Sequence, residues 1–444
     1  MSAIRQAGQE LRGTLQLATP IIVGHLGQNL MGVADSVMIG HVGTVPLAAS
    51  AFAGALFGMM FVVSIGVLSS VAVRTAMAFG ASRTHECGEI VRHGLAIATA
   101  LSLFFVACVT LFMDELHRLG QPHDVLTVAR PYMWIITWSL LPTLAYQVLR
   151  QFYEAVSRPW LPMAIVLAGV VLNVFLNWIL IYGNLGAPRL ELVGAGWATL
   201  ITRWAIVVAL FAHLVSAARM RDFLPAQWGA RLSALSVRDL LVLGVPVGGQ
   251  LMFEAGIFTA AAILMGWLGA VTLAAHQIAI ACISTIFMVP LGVGLATAVR
   301  IGQCVGAGEP ARLRPIAFGS LGAAAAFMIL VAVVLVAAGR LISSGFVRDA
   351  EVIATAANLL AVAAMFQLFD GTQVVASGGL RGLTDVKMPA IITFIGYWAI
   401  GLPCAWWLGF PAGLGGVGVW LGLLAGLAVC SIWLTARLWH RTAR

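Results

Sequence analysis

Charged residues are scarce in this chain. Only 9% of its 444 residues are Asp, Glu, Lys or Arg, whereas 61% are hydrophobic. A soluble domain carries about 25% charged residues, so this chain cannot cover its apolar surface in water. The composition therefore excludes an ordinary soluble domain and predicts a lipid bilayer as the solvent of most of the chain.

Motifs of metal sites and enzymes are also lacking. The six cysteines show no CxxC pair and no metal-ligand spacing, so we interpret them as small apolar helix residues. An HExxH motif or a clustered Ser–His–Asp set is missing as well, which disfavours a membrane enzyme, and we expect no cofactor. The net charge of +8 does not indicate nucleic acid, because the basic residues lie in small groups between apolar segments.

Long apolar runs are what the chain does contain. Each run is continuous and long enough to cross about 30 Å of hydrocarbon, which favours helices over the alternating strands of a membrane barrel. We therefore predict an all-α integral membrane protein with twelve transmembrane helices. The predicted spans are 14–40, 47–73, 93–113, 131–149, 160–182, 194–215, 240–266, 272–299, 316–339, 352–380, 388–410 and 416–436.

Arg and Lys are divided unevenly between the two alternate sets of connections. One set holds 19 of these residues and the other holds 5, with Arg203 left inside a helix. The positive-inside rule predicts that both termini are cytoplasmic, which agrees with an even number of spans. Arg outnumbers Lys by 24 to 1, which indicates a GC-rich genome, so we expect a bacterial inner (plasma) membrane protein.

The two halves of the sequence repeat each other without a gap. At a shift of 226 residues Pro20 meets Pro246, and Arg74 meets Arg300. Six helices return the chain to its starting side, so the repeats are parallel and pseudo-symmetric about an axis along the membrane normal. This architecture is typical of transporters and disfavours a channel. With the long basic connection as a cytoplasmic linker, the predicted domains are a six-helix lobe, a linker and a second six-helix lobe, at 1–215, 216–239 and 240–444.

Three acids lie inside predicted spans, namely Asp35, Glu254 and Asp370. An ionised carboxylate in hydrocarbon costs roughly 3 kcal/mol, so such residues are functional candidates, with a helix-packing hydrogen bond as the alternative. The three acids do not occupy equivalent positions of the repeat, which favours specialised chemistry. A desolvated carboxylate can exchange a proton or Na⁺ for a cationic substrate, which is the basis of antiport.

Uncharged polar residues accompany these acids. Asn173 and Asn177 are four residues apart and share a helix face, so with Asp35 and Thr199 they are candidates for an oxygen cage. An interhelical hydrogen bond is the alternative for each of them. Further polar candidates in the second half are Gln250, Gln277 and Gln373.

Five stretches carry a family resemblance. They are MGVADSVMIGHVGTVPLAASA (31–51), GWLGAVTLAAHQIAI (266–280), MVPLGVGLATAVRIGQCVGAG (288–308), FDGTQVVASGGLRGLTD (369–385) and GYWAIGLPCAWWLG (396–409). Together they resemble the multidrug and toxic compound extrusion (MATE) family and its NorM branch, and the resemblance covers essentially the whole chain. It implies two six-helix bundles around a V-shaped central cleft, and efflux of amphipathic organic cations driven by inward Na⁺ or H⁺.

The resemblance also implies residue roles. Glu254 and Asp370 match the acidic pair of the second lobe, which would hold Na⁺ if transport is Na⁺-coupled. Asn177 replaces a second aspartate of some relatives, and Phe287 replaces a tyrosine, although its ring could still face a cation. The predicted cation-coupling residues are Asp35, Glu254, Asp370, Asn173, Asn177 and Thr199, and the predicted substrate-binding residues are Gln277, Asp349, Phe287 and Gln373.

We therefore expect a secondary multidrug antiporter, monomeric in the bilayer, that exports small organic cations. The alternative is a flippase for a lipid-linked or other amphipathic substrate of the wider superfamily. Such a flippase should carry basic residues in its cavity, whereas the charges inside the spans are mainly acidic. The sequence leaves the choice between Na⁺ and H⁺ open.

Overall fold

The computed structural model describes residues 3–113, 115, 118 and 122–443, with the side chains of 3–6 left out. The described residues form helices joined by short connections, and no strand occurs among them. The helices are α1 Ala3–Gly40, α2 Thr44–Gly80, α3 Thr84–Phe112, α4 His123–Trp138, α5 Leu140–Ala155, α6 Trp160–Tyr182, α7 Glu191–Ser216, α8 Ala234–Trp267, α9 Ala270–Ala307, α10 Leu313–Ser344, α11 Ala350–Gly382, α12 Lys387–Phe394, α13 Leu402–Gly409 and α14 Gly415–Thr442.

Two of these helices are interrupted, and their interruptions explain the count. When α4 is joined to α5 and α12 is joined to α13, the described part of the chain contains twelve helices, as predicted. Ten of them are long and apolar enough to cross a membrane. The other two are α1, which carries polar residues such as His25 and Asp35, and the α4–α5 helix, whose halves have 16 residues each.

Prolines mark both interruptions. Pro142 has no N–H, and its ring would clash with the carbonyl group of Trp138, the residue at which α4 ends. Pro142 lies inside the predicted span 131–149, where a proline is expected to kink the helix, and the structure interrupts the helix at Ser139. Pro403 follows a π-helical segment, Ile395–Gly401, that joins α12 to α13. Such a widened turn is a common response to a missing backbone bond and is frequent at functional sites.

The chain forms two compact units. One comprises Val23–Gly248, here called the N-unit, and the other comprises Met1–Ile22 with Gly249–Arg444, here called the C-unit. In the N-unit α2 packs against α3, α4 and α5, and α6 packs against α7; in the C-unit α11 packs against α9, α10 and α14. The boundaries between the units fall inside α1 and α8. These packing units therefore differ from the predicted lobes, each of which is one continuous stretch of the chain.

The two unit boundaries lie at equivalent positions of the sequence repeat. Ile22 and Gly248, the last residues before the two boundaries, are one repeat period of 226 residues apart. Within the N-unit Gly66 touches the backbone of Gly248, and within the C-unit Gly292 touches Ile22. Neither glycine has space for a Cβ atom, and the two contacts are equivalent under the repeat. The N-terminal halves of α1 and α8 therefore pack in the same way on α9 and α2, respectively.

Equivalent arginines hold the N-terminal ends of these two helices. Arg74 on α2 pairs with Asp239 on α8, and Arg300 on α9 pairs with Glu10 on α1. Arg312 adds a second pair to Glu10, at 2.7 Å between Nε and Oε1. Burial raises the pKa of Glu10, but the hydrogen bonds and charges of Arg312 and Arg300 outweigh burial and hold this pKa below its ordinary value.

Candidate functional site

Glu254 lies at the centre of a polar cluster in the C-unit. Its Oε1 atom accepts hydrogen bonds from Gln373 Nε2 at 2.7 Å and from Gln250 Nε2 at 3.1 Å. Gln250 is one turn before Glu254 on α8 and also donates to Ser377 Oγ on α11 at 3.0 Å. Side chains from α8 and α11 thus meet at one oxygen of the Glu254 carboxylate. Two N–H donors at one oxygen suit an ionised carboxylate, which only accepts hydrogen bonds.

Asp370 completes this cluster on α11. It lies three residues before Gln373, on the same helix face, and its side chain is buried at 9% exposure. Its charge and that of Glu254 repel each other. Within the described residues its carboxylate makes no hydrogen bond, and the hydrogen bonds to Glu254 reach only Oε1. The structure therefore brings together the predicted acidic pair and leaves Glu254 Oε2 and both Asp370 oxygens available for a cation.

Tyr397 is a member of this cluster that the sequence analysis missed. It lies on the π-helical segment, is buried, and donates its hydroxyl proton to Gln373 Oε1 at 3.1 Å. The neighbouring Trp398 donates from Nε1 to the carbonyl oxygen of Phe253, the residue before Glu254, at 3.2 Å. The π-helical segment thus bonds to both helices of the Glu254 cluster, to α11 at Gln373 and to α8 at Phe253. The GYW sequence inside a proline-interrupted span was the available signal.

Asp35 is the centre of the corresponding cluster in the N-unit. Its Oδ1 atom accepts from Asn177 Nδ2 at 2.5 Å, and its Oδ2 atom accepts from Thr199 Oγ1 at 3.2 Å. Asn177 Nδ2 also donates to Asn173 Oδ1 at 3.2 Å. Asn173, Asn177 and Thr199 are buried, so the structure groups all four predicted residues of the first-lobe site.

Among the described residues, two buried polar atoms of this cluster have no hydrogen-bond partner, namely Asn177 Oδ1 and Asn173 Nδ2. An unpaired buried polar group costs about 1–3 kcal/mol, so a group that bonds it would stabilise the site. A free amide oxygen next to a carboxylate is a suitable ligand for a hard cation. Nearby, the charge of Arg203 attracts Asp35, while its guanidinium donates to Ser139 and stacks over Phe57 at 4.6 Å.

The predicted substrate-binding residues are more dispersed. Gln373 belongs to the Glu254 cluster, whereas Gln277 is exposed and Phe287 is half-buried on α9. Asp349 is the N-cap of α11, where its carboxylate accepts from the backbone N–H groups of Glu351 at 2.9 Å and Val352 at 3.2 Å. The structure thus gives Asp349 a capping role, and substrate binding by Gln277, Phe287 and Asp349 stays a prediction.

A second buried ionic cluster in the N-unit also escaped the sequence analysis. Arg150 donates from Nη1 to His25 Nε2 at 2.7 Å and lies 3.6 Å from Glu154. Because Arg only donates, His25 is neutral with its proton on Nδ1. The predicted span ends at residue 149, before Arg150 and Glu154, but α5 continues to Ala155 and buries both. Their four-residue spacing was the available signal.

Neither acid cluster resembles a transition-metal site. Among the described residues no three His, Cys, Asp or Glu side chains form a group that could hold a metal ion. A cation at either cluster would therefore use carboxylate oxygens together with amide or hydroxyl oxygens, which are the ligands of Na⁺ and other hard cations.

These observations define a class of protein. Two units of one repeated pattern, each with a carboxylate among helices that are mostly long and apolar enough to cross a membrane, are typical of a multi-pass membrane transporter. The MatE family model matches residues 20–179 and again residues 246–407, so both matches begin at the equivalent prolines Pro20 and Pro246. The chain belongs to the MatE family, which confirms the resemblance found in the sequence.

Relatives and solved structures agree with this assignment. The chain is 36% identical over 410 residues to a probable multidrug resistance protein NorM of Bradyrhizobium diazoefficiens, covering 91% of this chain and 88% of that protein. It is 36% identical over 412 residues to the multidrug resistance protein NorM of Burkholderia vietnamiensis, with 91% and 88% covered. A crystal structure of a mutant of the Vibrio cholerae MATE transporter VcmN superposes with a TM-score of 0.90 at 19% identity, covering 98% of each chain. This last likeness shows the fold.

Proposed function

We propose that this protein is a secondary active multidrug antiporter that exports amphipathic organic cations in exchange for inward Na⁺ or H⁺. The observation that carries the proposal is the Glu254–Asp370 pair, whose three unbonded oxygens lie among apolar helices. The NorM names of the relatives support multidrug resistance as the physiological role. The arginine distribution supports a bacterial inner membrane location with both termini in the cytoplasm.

Competition for one negative site explains the exchange. Two repelling carboxylates in a poorly solvated site attract a cation strongly, because Coulomb energies grow as the local dielectric constant falls. A proton, Na⁺ or a cationic substrate each relieves this repulsion, so occupancy by one disfavours occupancy by another. In an alternating-access cycle the coupling ion enters from outside and displaces the substrate, which leaves outward.

Asp35 gives the N-unit a separate negative site. Its carboxylate is held by Asn177 and Thr199, and Asn177 Oδ1 lies free beside it. We infer that this cluster binds a coupling ion by its carboxylate and amide oxygens, with Asn173 positioning Asn177. One carboxylate there, rather than two, favours a single monovalent cation.

Efflux from cells tests the proposal. Cells that lack their main pumps are loaded with ethidium, and efflux is followed in the presence and absence of Na⁺ at fixed pH. The wild-type protein should accelerate efflux, with either a Na⁺ requirement or sensitivity to a protonophore. Asp370→Asn should abolish the acceleration, whereas Glu351→Gln, an exposed acid in the first turn of the same helix, should retain it. Equal efflux from cells with and without the well-expressed protein would contradict multidrug export and favour the flippase.

A further inference from the structure

An open groove lies in the C-unit between the start of α12 and the end of α14. It has a volume of about 540 Å³. Much of its floor is apolar and uncovered, since Ile391 is 49% exposed, Trp433 is 46% exposed and Met388 is 38% exposed. In a membrane-spanning protein such a surface faces the hydrocarbon, and Trp is common at the interface between hydrocarbon and headgroups.

Two arginines form the polar end of this groove. Arg437 and Arg441, on successive turns of α14, both line it. Arg437 Nε lies 2.8 Å and Arg441 Nε lies 3.2 Å from the same oxygen of Asp385, which is buried. Both arginines therefore approach the carboxylate through Nε, and within the described chain their terminal Nη atoms have no hydrogen-bond partner. Asp385 thus orients two guanidinium groups and neutralises only one of them.

The free Nη atoms suit a phosphate group. A guanidinium presents its N–H groups as a planar fork that matches phosphate oxygens, and two neighbouring forks with a net positive charge favour an anionic headgroup. The arginine distribution assigns this end of α14 to the cytoplasm, where basic pockets between helices bind anionic lipids. Free phosphate would use the arginines alone, whereas a lipid also covers the apolar floor next to them.

We propose that this groove binds an anionic glycerophospholipid. Its phosphate lies between Arg437 and Arg441, and its acyl chain covers Met388, Ile391 and Trp433. Asp385 is the positioning residue, because it fixes the direction of both guanidinium groups.

Lipid retention by the purified protein tests this proposal. The protein is reconstituted in nanodiscs of phosphatidylcholine and phosphatidylglycerol, extracted, and analysed for bound lipid by native mass spectrometry. Wild type should retain phosphatidylglycerol in preference to phosphatidylcholine. The double variant Arg437→Gln/Arg441→Gln should lose this preference by roughly tenfold, as expected for the removal of basic residues near an anionic surface. The matched control Arg340→Gln/Arg348→Gln, at two exposed arginines of the other set of connections, should keep the preference.

Asp385→Asn separates lipid binding from a purely structural role of the arginines. It removes the negative charge but keeps an amide oxygen that can accept from the same Nε groups and orient both guanidinium groups, so phosphatidylglycerol retention should equal or exceed that of wild type. A loss as large as in the double variant would overturn the proposal, as would equal retention by wild type and double variant. Displacement of the lipid by inorganic phosphate would also overturn it, because it would show a phosphate site without an acyl-chain contribution.

Discussion

At the scale of single residues, the two oxygens of Glu254 have different surroundings. Oε1 accepts hydrogen bonds from Gln250 and Gln373, which fix the position of the carboxylate. Oε2 has no such partner among the described residues. One oxygen is thus used for positioning and the other is free for a ligand. The amide residues should therefore influence ion affinity without themselves being the charge that binds the ion.

The capping role of Asp349 and its expected role in substrate binding can be separated by substitution. Asn caps a helix about as well as Asp, whereas Ala does not cap, so Asp349→Ala should lower the free energy of unfolding by about 1 kcal/mol. Asp349→Asn should leave stability unchanged. Thermal unfolding of the detergent-solubilised variants measures both.

The same pair of variants examines substrate binding. A lower apparent ethidium affinity in Asp349→Asn, whose cap is intact, would assign Asp349 the substrate role implied by the family resemblance. Unchanged unfolding in Asp349→Ala would contradict the capping contribution.

At the scale of secondary-structure elements, the π-helical segment Ile395–Gly401 connects the acid cluster to the rest of the C-unit. Tyr397 bonds to Gln373 on α11, and Trp398 bonds to Phe253 on α8. On the same segment, Gly396 and Gly401 lie against Gly426 of α14, where a Cβ atom would clash with the Gly396 carbonyl oxygen and come within 2.8 Å of the Gly401 Cα atom. These contacts provide a physical connection from Glu254 and Gln373 to α14, so we expect the packing of α14 to respond to a change in their position.

Tyr397→Phe tests this element. The ring remains and the hydroxyl proton that orients Gln373 is lost, so the coupling-ion concentration for half-maximal transport should rise about fivefold, which corresponds to one hydrogen bond of about 1 kcal/mol. Stability and expression should change little. Transport in proteoliposomes at varied Na⁺ or H⁺ concentration measures the shift.

Tyr182→Phe is the matched control. Tyr182 donates a hydrogen bond of 2.9 Å to the Met38 carbonyl in the N-unit, so its replacement removes a similar bond away from Glu254. An equal rise in both variants would show that a general loss of rigidity, rather than orientation of Gln373, causes the effect.

Some features of the helices could be predicted from the sequence and others could not. The structure brings Asp35, Asn177 and Thr199 together, and the sequence singles them out because each side chain is polar in an apolar span; their role in cation coupling stays a prediction. The Tyr397 contact was not predicted, since a π-helical turn changes which residues share a face and the proline alone does not fix its position. Pro142 predicts a kink in this helix but does not fix the interruption at Ser139, because a proline is compatible with a kink as well as with a break.

At the scale of the whole molecule, the repeat is also a repeat of packing. Val23–Gly248 spans one repeat period, and the family model matches begin at Pro20 and Pro246, just before the unit boundaries. The sequence contained this signal in the gapless shift of 226 residues. It did not reveal that the first halves of α1 and α8 belong to a different packing unit from the residues that follow them. Hydropathy does not specify which helices pack against each other.

The Glu10 pair yields a whole-molecule prediction about pH. Because the pKa of Glu10 is lowered in the folded protein, its stabilisation is complete above the ordinary carboxyl pKa and is lost as the pH falls through the lowered pKa. Glu10→Gln should therefore reduce the free energy of unfolding by roughly 1–2 kcal/mol at neutral pH, and the difference from wild type should vanish in acid. Thermal unfolding across pH measures this dependence.

Asp239→Asn is the symmetric comparison. Asp239 is 47% exposed, whereas Glu10 is 9% exposed, so the Arg74 pair is weakened by water and its removal should cost less. A larger loss for Asp239→Asn, or a difference between Glu10→Gln and wild type that grows in acid, would contradict this account of the two pairs.

Coupled exchange in proteoliposomes tests antiport through the Glu254–Asp370 pair. An ethidium gradient is imposed across the membrane, and movement of Na⁺ and of protons is recorded with ion-sensitive dyes. One of these cations should move against the ethidium flux. Asp370→Asn should uncouple or abolish this movement, and Glu351→Gln should preserve it. Ethidium flux without opposing cation movement, or full coupling in Asp370→Asn, would contradict an antiporter that operates through the Glu254–Asp370 pair.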